Sequence, residues 1–175
     1  MCNYEVDFKH STVGFSIKHM KLAKVKGTFD SYKASIYTND IQNILTISIN
    51  FEIDVASIST NDFSRDTHLI SADFFHADRY PKIIFTSNGI EKLTDSAYLL
   101  SGELTIRDVS HPIKFNILYN GHEKSLSAHD VYGFTCSSTI SRKEYGLVYN
   151  ELLESGGLLI DEEVEIFVDM ELISQ

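Results

Sequence analysis

The chain has 175 residues, of which 43% are hydrophobic and 23% charged, with 25 acidic against 15 basic side chains and a formal net charge of −10. That length and balance suit one globular domain, here residues 1–175, with a sizeable core rather than a disordered segment. The acidic excess repels a phosphate backbone, which argues against a nucleic-acid partner and against stable anchoring on an anionic membrane.

The opening Met1–Asp7 has neither the basic nor the apolar region of a secretory signal, so a cytoplasmic compartment is expected. Val13, Phe15, Ile17 and His19 then share one face of a strand, which residues 4–8 either join or precede as a short strand of their own. A second strand is expected over 25–37, closed by a turn at Asn39-Asp40. Leu45, Ile47, Ile49, Phe51 and Ile53 alternate with Thr46, Ser48, Asn50, Glu52 and Asp54. The period breaks at 60–70, where polar residues precede Phe63 and Leu69-Ile70; this predicts a short helix around 61–71 capped by Thr60 or Asn61.

A strand over 82–92 follows, with Asn88-Gly89 read as a bulge inside it rather than as a hairpin turn. Leu100, Gly102, Leu104 and Ile106 form the next apolar row, and Ile113, Phe115, Ile117 and Tyr119 the one after. Turns are expected at Thr94-Asp95-Ser96, Asn120-Gly121 and Ser155-Gly156-Gly157, with a strand over 128–140 and a helical turn around 150–154. Val164, Ile166, Val168, Met170 and Leu172 alternate with acidic Glu163, Glu165, Asp169 and Glu171 on the closing strand. One buried and one wet face per strand is the antiparallel pattern, so the expected class is all-β, with about eight strands in a barrel or sandwich.

Motifs that would announce chemistry are missing: there is no GxGxxG, P-loop, GxSxG or HExxH. The seven histidines have no i, i+2 or i, i+4 spacing among themselves, so they read as surface or hydrogen-bonded groups and no metal site is expected. Arg65-Asp66-Thr67-His68 is the densest polar cluster; Asp66 and His68 do not face each other on a helix, and Arg65 and Asp66 are expected to reach different partners and pin the helix across one barrel end. Cys136, on an alternating strand, reads as a structural thiol, and Cys2 is far from it in sequence. The excess of Phe is the more informative feature. An eight-stranded barrel is just wide enough to be filled by such side chains or to hold one ligand.

Several ordered blocks resemble the YceI-like family over nearly the whole chain. They are Tyr4-Glu5-Val6-Asp7-Phe8-Lys9-His10-Ser11 with Val13-Gly14-Phe15-Ser16-Ile17-Lys18-His19; Val25-Lys26-Gly27-Thr28-Phe29; Ser57-Ile58-Ser59-Thr60 with Arg65-Asp66-Thr67-His68-Leu69, Asp73-Phe74-Phe75 and Tyr80-Pro81; Gly102-Glu103-Leu104-Thr105-Ile106 with Val109 and Pro112; and Ile140-Ser141-Arg142-Lys143-Glu144-Tyr145-Gly146-Leu147. Tyr4 stands where the family often has Trp, and Phe8 where it often has Pro.

The resemblance implies an eight-stranded, lipocalin-like antiparallel barrel that binds a polyisoprenoid or similar amphiphile along its axis, often as a homodimer. It implies no catalytic residue and no cofactor beyond a bound isoprenoid or quinone-like lipid. The cavity wall would be drawn from Phe15, Ile17 and Phe29; Ile47, Ile49 and Phe51; Phe74, Phe75 and Phe85; Leu104, Ile106, Phe115 and Ile117; and Phe134, Ile166, Val168 and Met170. His19, Arg65, His68 and Arg142 are the candidates for holding a polar head group. The competing reading is an enzyme or stress-response protein acting on a small hydrophobic substrate in the same cavity. If the chain pairs with itself, the less acidic 82–92 region, with Ile84, Thr86 and Ile90, is the expected interface.

Overall fold

The computed structural model describes residues 4–174; Cys2 lies outside them. Strict alternation builds the strands. In β8 (Ala97–Ile106) and β9 (Val109–Lys124), Leu100, Leu104, Ile106, Ile113, Phe115 and Ile117 are buried, while Lys114 and Asn116 are exposed between them. The other strands are β1 (Tyr4–Val6), β2 (Thr12–His19), β3 (Ala23–Phe29), β4 (Tyr32–Tyr37), β5 (Ser48–Asp54), β6 (Ile58–Ser59), β7 (Lys82–Lys92), β10 (Asp130–Ser141) and β11 (Ile160–Ser174). All pair antiparallel in the order β4-β5-β7-β8-β9-β10-β11-β2-β3-β6, with β1 added on β11.

This ladder has two ends, β4 and β3–β6, and only Asp30 and Ser31 separate them along the chain. The expected strand 25–37 is therefore one bent strand whose halves serve opposite edges of the sheet: β3 pairs with β2, and β4 with β5. Two backbone hydrogen bonds brace the bend, Asp30 N to Ser57 O at 3.2 Å and Asp54 N to Ser31 O at 2.9 Å. The sheet curls into a lipocalin-like barrel. Because that strand divides, and because β1 and β6 are short additions, the described residues form eleven strands rather than eight.

Three local expectations are corrected. Leu45 is half-exposed in a 3₁₀ turn over Ile44–Thr46, so the strand begins at Ser48. Asn120-Gly121 makes no turn: Gly121, at φ +108°, sits inside β9, where it lets the strand bulge against Gly133-Phe134 of β10. The 150–154 segment carries a bridge between Leu152 and Leu158 rather than a helical turn; the 3₁₀ turn lies earlier, over Arg142–Tyr145. The bulge expected at Asn88-Gly89 is present as a register shift between Ser87 and Gly89.

The helix α1 (Phe63–Ile70) is capped by Asp62, one residue beyond the expected caps, whose carboxylate accepts the Arg65 N–H at 3.0 Å. Arg65 and Asp66 do not reach different partners as expected. Both close on the buried Thr60: Asp66 accepts from its N–H at 2.9 Å and its hydroxyl at 2.6 Å, while Arg65 donates to its hydroxyl at 2.8 Å and its carbonyl at 3.0 Å. Polar side chains here bind backbone that has left the β-ladder. Asp66→Asn should keep the geometry but weaken both bonds, lowering stability by about 1–3 kcal/mol in a denaturant titration; an unchanged midpoint would show that Thr60 does not hold the helix.

β1 and β2 both pair with β11, and residues 7–11 loop out between them. Phe8 lies 5.2 Å from the Tyr32 ring, and Asp7 Oδ2 lies 2.8 Å from His10 Nδ1, with Glu171 at 3.8 Å. The hydrogen bond holds Asp7 below the ordinary carboxylate pKa and raises His10 above the ordinary imidazole value. The clasp thus stabilises the loop while Asp7 is ionised and His10 protonated. Its contribution is lost as pH falls through the lowered Asp7 value, and lost again as pH rises through the raised His10 value. In an NMR titration His10 should ionise above roughly 6.5, and Asp7→Asn should return it most of the way; an unshifted His10 would separate the loop from this pair.

Candidate functional site: an apolar lumen

Side chains from nine strands, β2 to β5 and β7 to β11, point into the barrel and leave a cavity of about 200 Å³. It runs from Ile36, Ile44 and Ile47 at one end of the barrel to Arg142 and Leu147 at the other. On β11 alone the lining extends from Val164 to Leu172, roughly 27 Å of strand at about 3.4 Å per residue. Of the expected wall, Phe15, Phe29, Ile47, Ile49, Phe51, Phe75, Phe85, Leu104, Ile106, Phe115, Ile117, Phe134, Ile166, Val168 and Met170 line it.

Two expected wall residues do not. Ile17 lies beyond the lined stretch of β2. Phe74 packs outside the lumen between the His68 and Tyr149 rings, at 5.1 and 5.0 Å. The adjacent phenylalanines divide because the chain turns tightly after α1: Phe75 N–H bonds Leu69 O, Ala77 N–H bonds Ile70 O, and His76 sits at φ +52°. Ile90, expected on an outer interface, instead lines the cavity, because the Ser87/Gly89 bulge resets the alternation of β7. Ile83 and Cys136 also line it and were legible by their strand parity, whereas Ile44 and Leu147 sit off the strands and gave no such signal. Apolar surroundings push the Cys136 thiol up to about 12, so it stays protonated and is no nucleophile at neutral pH.

The lumen stays open because large rings lie against glycine. A Cβ on Gly27 would come within 2.4 Å of the Phe15 ring, and one on Gly102 within 2.4 Å of the Phe85 ring. Both rings therefore occupy space that any other residue would fill, along the wall rather than across the axis. Phe85 also meets Phe115 edge-on at 5.3 Å, and Phe29 meets Phe75 edge-on at 6.2 Å.

Of the four head-group candidates, Arg142 alone borders the cavity, and it is the one charged side chain on the lining among the described residues. It is 3% exposed. Nε donates to Asp161 O at 2.8 Å, and Nη1 to Leu147 O and to Tyr149 O, the latter at 2.8 Å. Nη2 is buried with no partner. Desolvation lowers the Arg142 pKa from its ordinary high value, partly countered by Glu162 and Asp161. The other three candidates lie elsewhere: His19 ends β2 opposite Ile160, Arg65 is committed to Thr60, and His68 Nε2 pairs with Asp73 at 2.8 Å. Asp7, His10 and Glu171 are the described trio whose ligand atoms fall within 4.8 Å of one another; the direct Asp7–His10 contact accounts for that geometry without an ion.

Fold and lumen together define a lipocalin-like barrel with an apolar interior. The profile of the YceI-like domain matches residues 4–172, and the chain belongs to that family. It is 34% identical over 166 residues to a UPF0312 protein of Staphylococcus aureus (strain USA300), covering 94% of each chain. Among solved structures it is similar to the Campylobacter jejuni YceI protein, with a TM-score of 0.78 and 28% identity, covering 100% of this chain and 99% of that one. Burkholderia cenocepacia BcnA shares the fold with a TM-score of 0.82 at 22% identity, over 95% of this chain and 99% of that one. So does a polyisoprenoid binding domain from Saccharophagus degradans, with a TM-score of 0.70 at 17% identity and full coverage of both.

Gly27→Ala tests how the wall is built. The nearest atoms to the new methyl are those of the Phe15 ring, with Thr60 Cγ2 at 3.0 Å, so the closest contact is with a side chain rather than backbone. The fold should survive at a cost of about 1–3 kcal/mol, with the Phe15 ring driven into the lumen and uptake of an apolar fluorescent probe reduced. Undiminished uptake would show that the lumen does not depend on this ring.

Proposed function

We propose that this barrel binds and carries a long apolar molecule, an isoprenoid-like or similar single-chain amphiphile, along its axis. The observation that carries the reading is the continuous apolar lumen lined from nine strands. Burial of each methylene contributes about 0.8 kcal/mol gross, and ordering the chain offsets much of it. A lumen lined along β11 from Val164 to Leu172 suits an extended chain better than a compact ligand. The name of the Saccharophagus degradans domain agrees with this reading, although the likeness between the two is one of fold.

Binding rather than turnover is supported by the lining itself. Its charged group, Arg142, is tethered by three backbone carbonyls, and its thiol, Cys136, is held protonated. The reading is tested by extracting the purified protein with organic solvent and examining the extract by mass spectrometry. A long-chain lipid at near-equimolar amount is expected; an empty extract, together with failure of delipidated protein to take up any long-chain lipid, would overturn carriage.

A further inference from the structure

Arg142 sits awkwardly in a purely apolar container. Its guanidinium is buried, yet no carboxylate among the described residues pairs with it directly. The nearby Glu162 is engaged outward, with Lys143 at 3.2 Å and the Ser141 hydroxyl at 3.0 Å. Asp161 turns one carboxylate oxygen to the Glu162 N–H and offers Arg142 only its backbone carbonyl. Three carbonyls fix the plane of the guanidinium through Nε and Nη1, and Nη2 is left with two N–H donors and no acceptor. A buried unsatisfied donor is unfavourable, and a buried cation without an anion more so.

We infer that Arg142 Nη2 is the head-group anchor of the lumen, and that the cargo carries an anionic oxygen head, a carboxylate or a phosphate, at the Arg142–Leu147 end. The inference rests on the carriage reading and narrows its ligand class. An anionic oxygen supplies both the missing acceptor and a directly paired charge, which Glu162 and Asp161 give only at a distance, whereas an alcohol supplies an acceptor alone. Arginine suits the position because its planar fork can be held by backbone on two nitrogens while the third keeps its donors unpaired beside the lumen; lysine offers no such fixed direction.

The test uses delipidated full-length protein and displacement of an apolar fluorescent probe by three ligands with the same C20 isoprenoid chain: the alcohol, the carboxylic acid and the monophosphate. At least one anionic ligand should bind about tenfold or more tighter than the alcohol, a gap of about 1.4 kcal/mol, and the stronger of the two identifies the head. In Arg142→Met the gap should close, and in Arg142→Lys it should be intermediate. If Arg142→Met does not fold, the wild-type comparison and Arg142→Lys still decide. Equal binding of all three ligands to wild type, or an undiminished anion preference in either folded variant, overturns the inference and leaves carriage standing. Displacement by none of the three, with no uptake of the probe, overturns carriage and the inference with it.

Discussion

Phe15 and Phe85 are each pressed against a backbone that has no Cβ to resist them, at Gly27 and Gly102. A barrel of this size has an interior that its own side chains can fill, and this one carries many large inward residues. What decides between a packed core and a lumen is the direction those residues take. Here the cross-strand partner of Phe15 is Gly27 itself, and Gly102 lies two residues along β8, on the same face, from the Leu104 that pairs with Phe85. The same device recurs on the outer face, where Phe167 covers Gly14 within 2.3 Å of its absent Cβ. Removing a side chain from the wall thus makes room for a ring without spending volume on the axis.

The wall and the helix share a residue. Thr60 holds Arg65 and Asp66 through its backbone and hydroxyl, and its methyl lies 3.0 Å from where a Gly27 Cβ would stand. The α1 anchor, the bend at Asp30–Ser31 and the Phe15 ring therefore meet around one point, where β6 pairs with the end of β3. A disturbance at the helix has a short path to the lumen. Arg142 plays a comparable part farther round the barrel, gathering the carbonyls of Leu147, Tyr149 and Asp161 so that the 142–161 segment is drawn onto the end of β10. In both places the chain leaves its ladder, and a side chain takes over the hydrogen bonding that a neighbouring strand would otherwise provide.

Most of the wall could be read from the sequence because period-2 alternation says which face is buried, and a barrel has only one inside. Leu104, Phe115 and Val168 follow from parity alone. The misreadings occur where parity is interrupted. A bulge at Gly89 turns Ile90 inward, the tight turn that follows α1 sends Phe74 and Phe75 apart, and Leu45 continues an apparent alternation that the backbone has not yet adopted. The break of 25–37 into β3 and β4 does leave a mark: the inward positions are odd up to Phe29 and even from Ala34, so the alternation changes phase across Asp30-Ser31, where a single continuous strand would have kept it. Arg142 is one of four polar candidates with nothing local to rank them; its place on the lining depends on carbonyls five to nineteen residues away in the chain.

The lumen also bears on stability. Side chains that line an apolar cavity of about 200 Å³ forgo part of the dispersion contact that a close-packed core would give them. The barrel offsets this loss with long ladders, since β9, β10 and β11 are 16, 12 and 15 residues long, and with a sheet whose edges are joined through Asp30 and Ser31. A chain that enters the lumen restores the missing contacts, so binding and folding draw on the same free energy. Affinity for an apolar cargo is then partly the relief of a void that the Phe–Gly walls keep open. The buried cation at Arg142 adds a second, electrostatic deficit at one end of that void. A ligand that fills the lumen and neutralises the guanidinium relieves both, and a ligand that does one alone leaves the other in place.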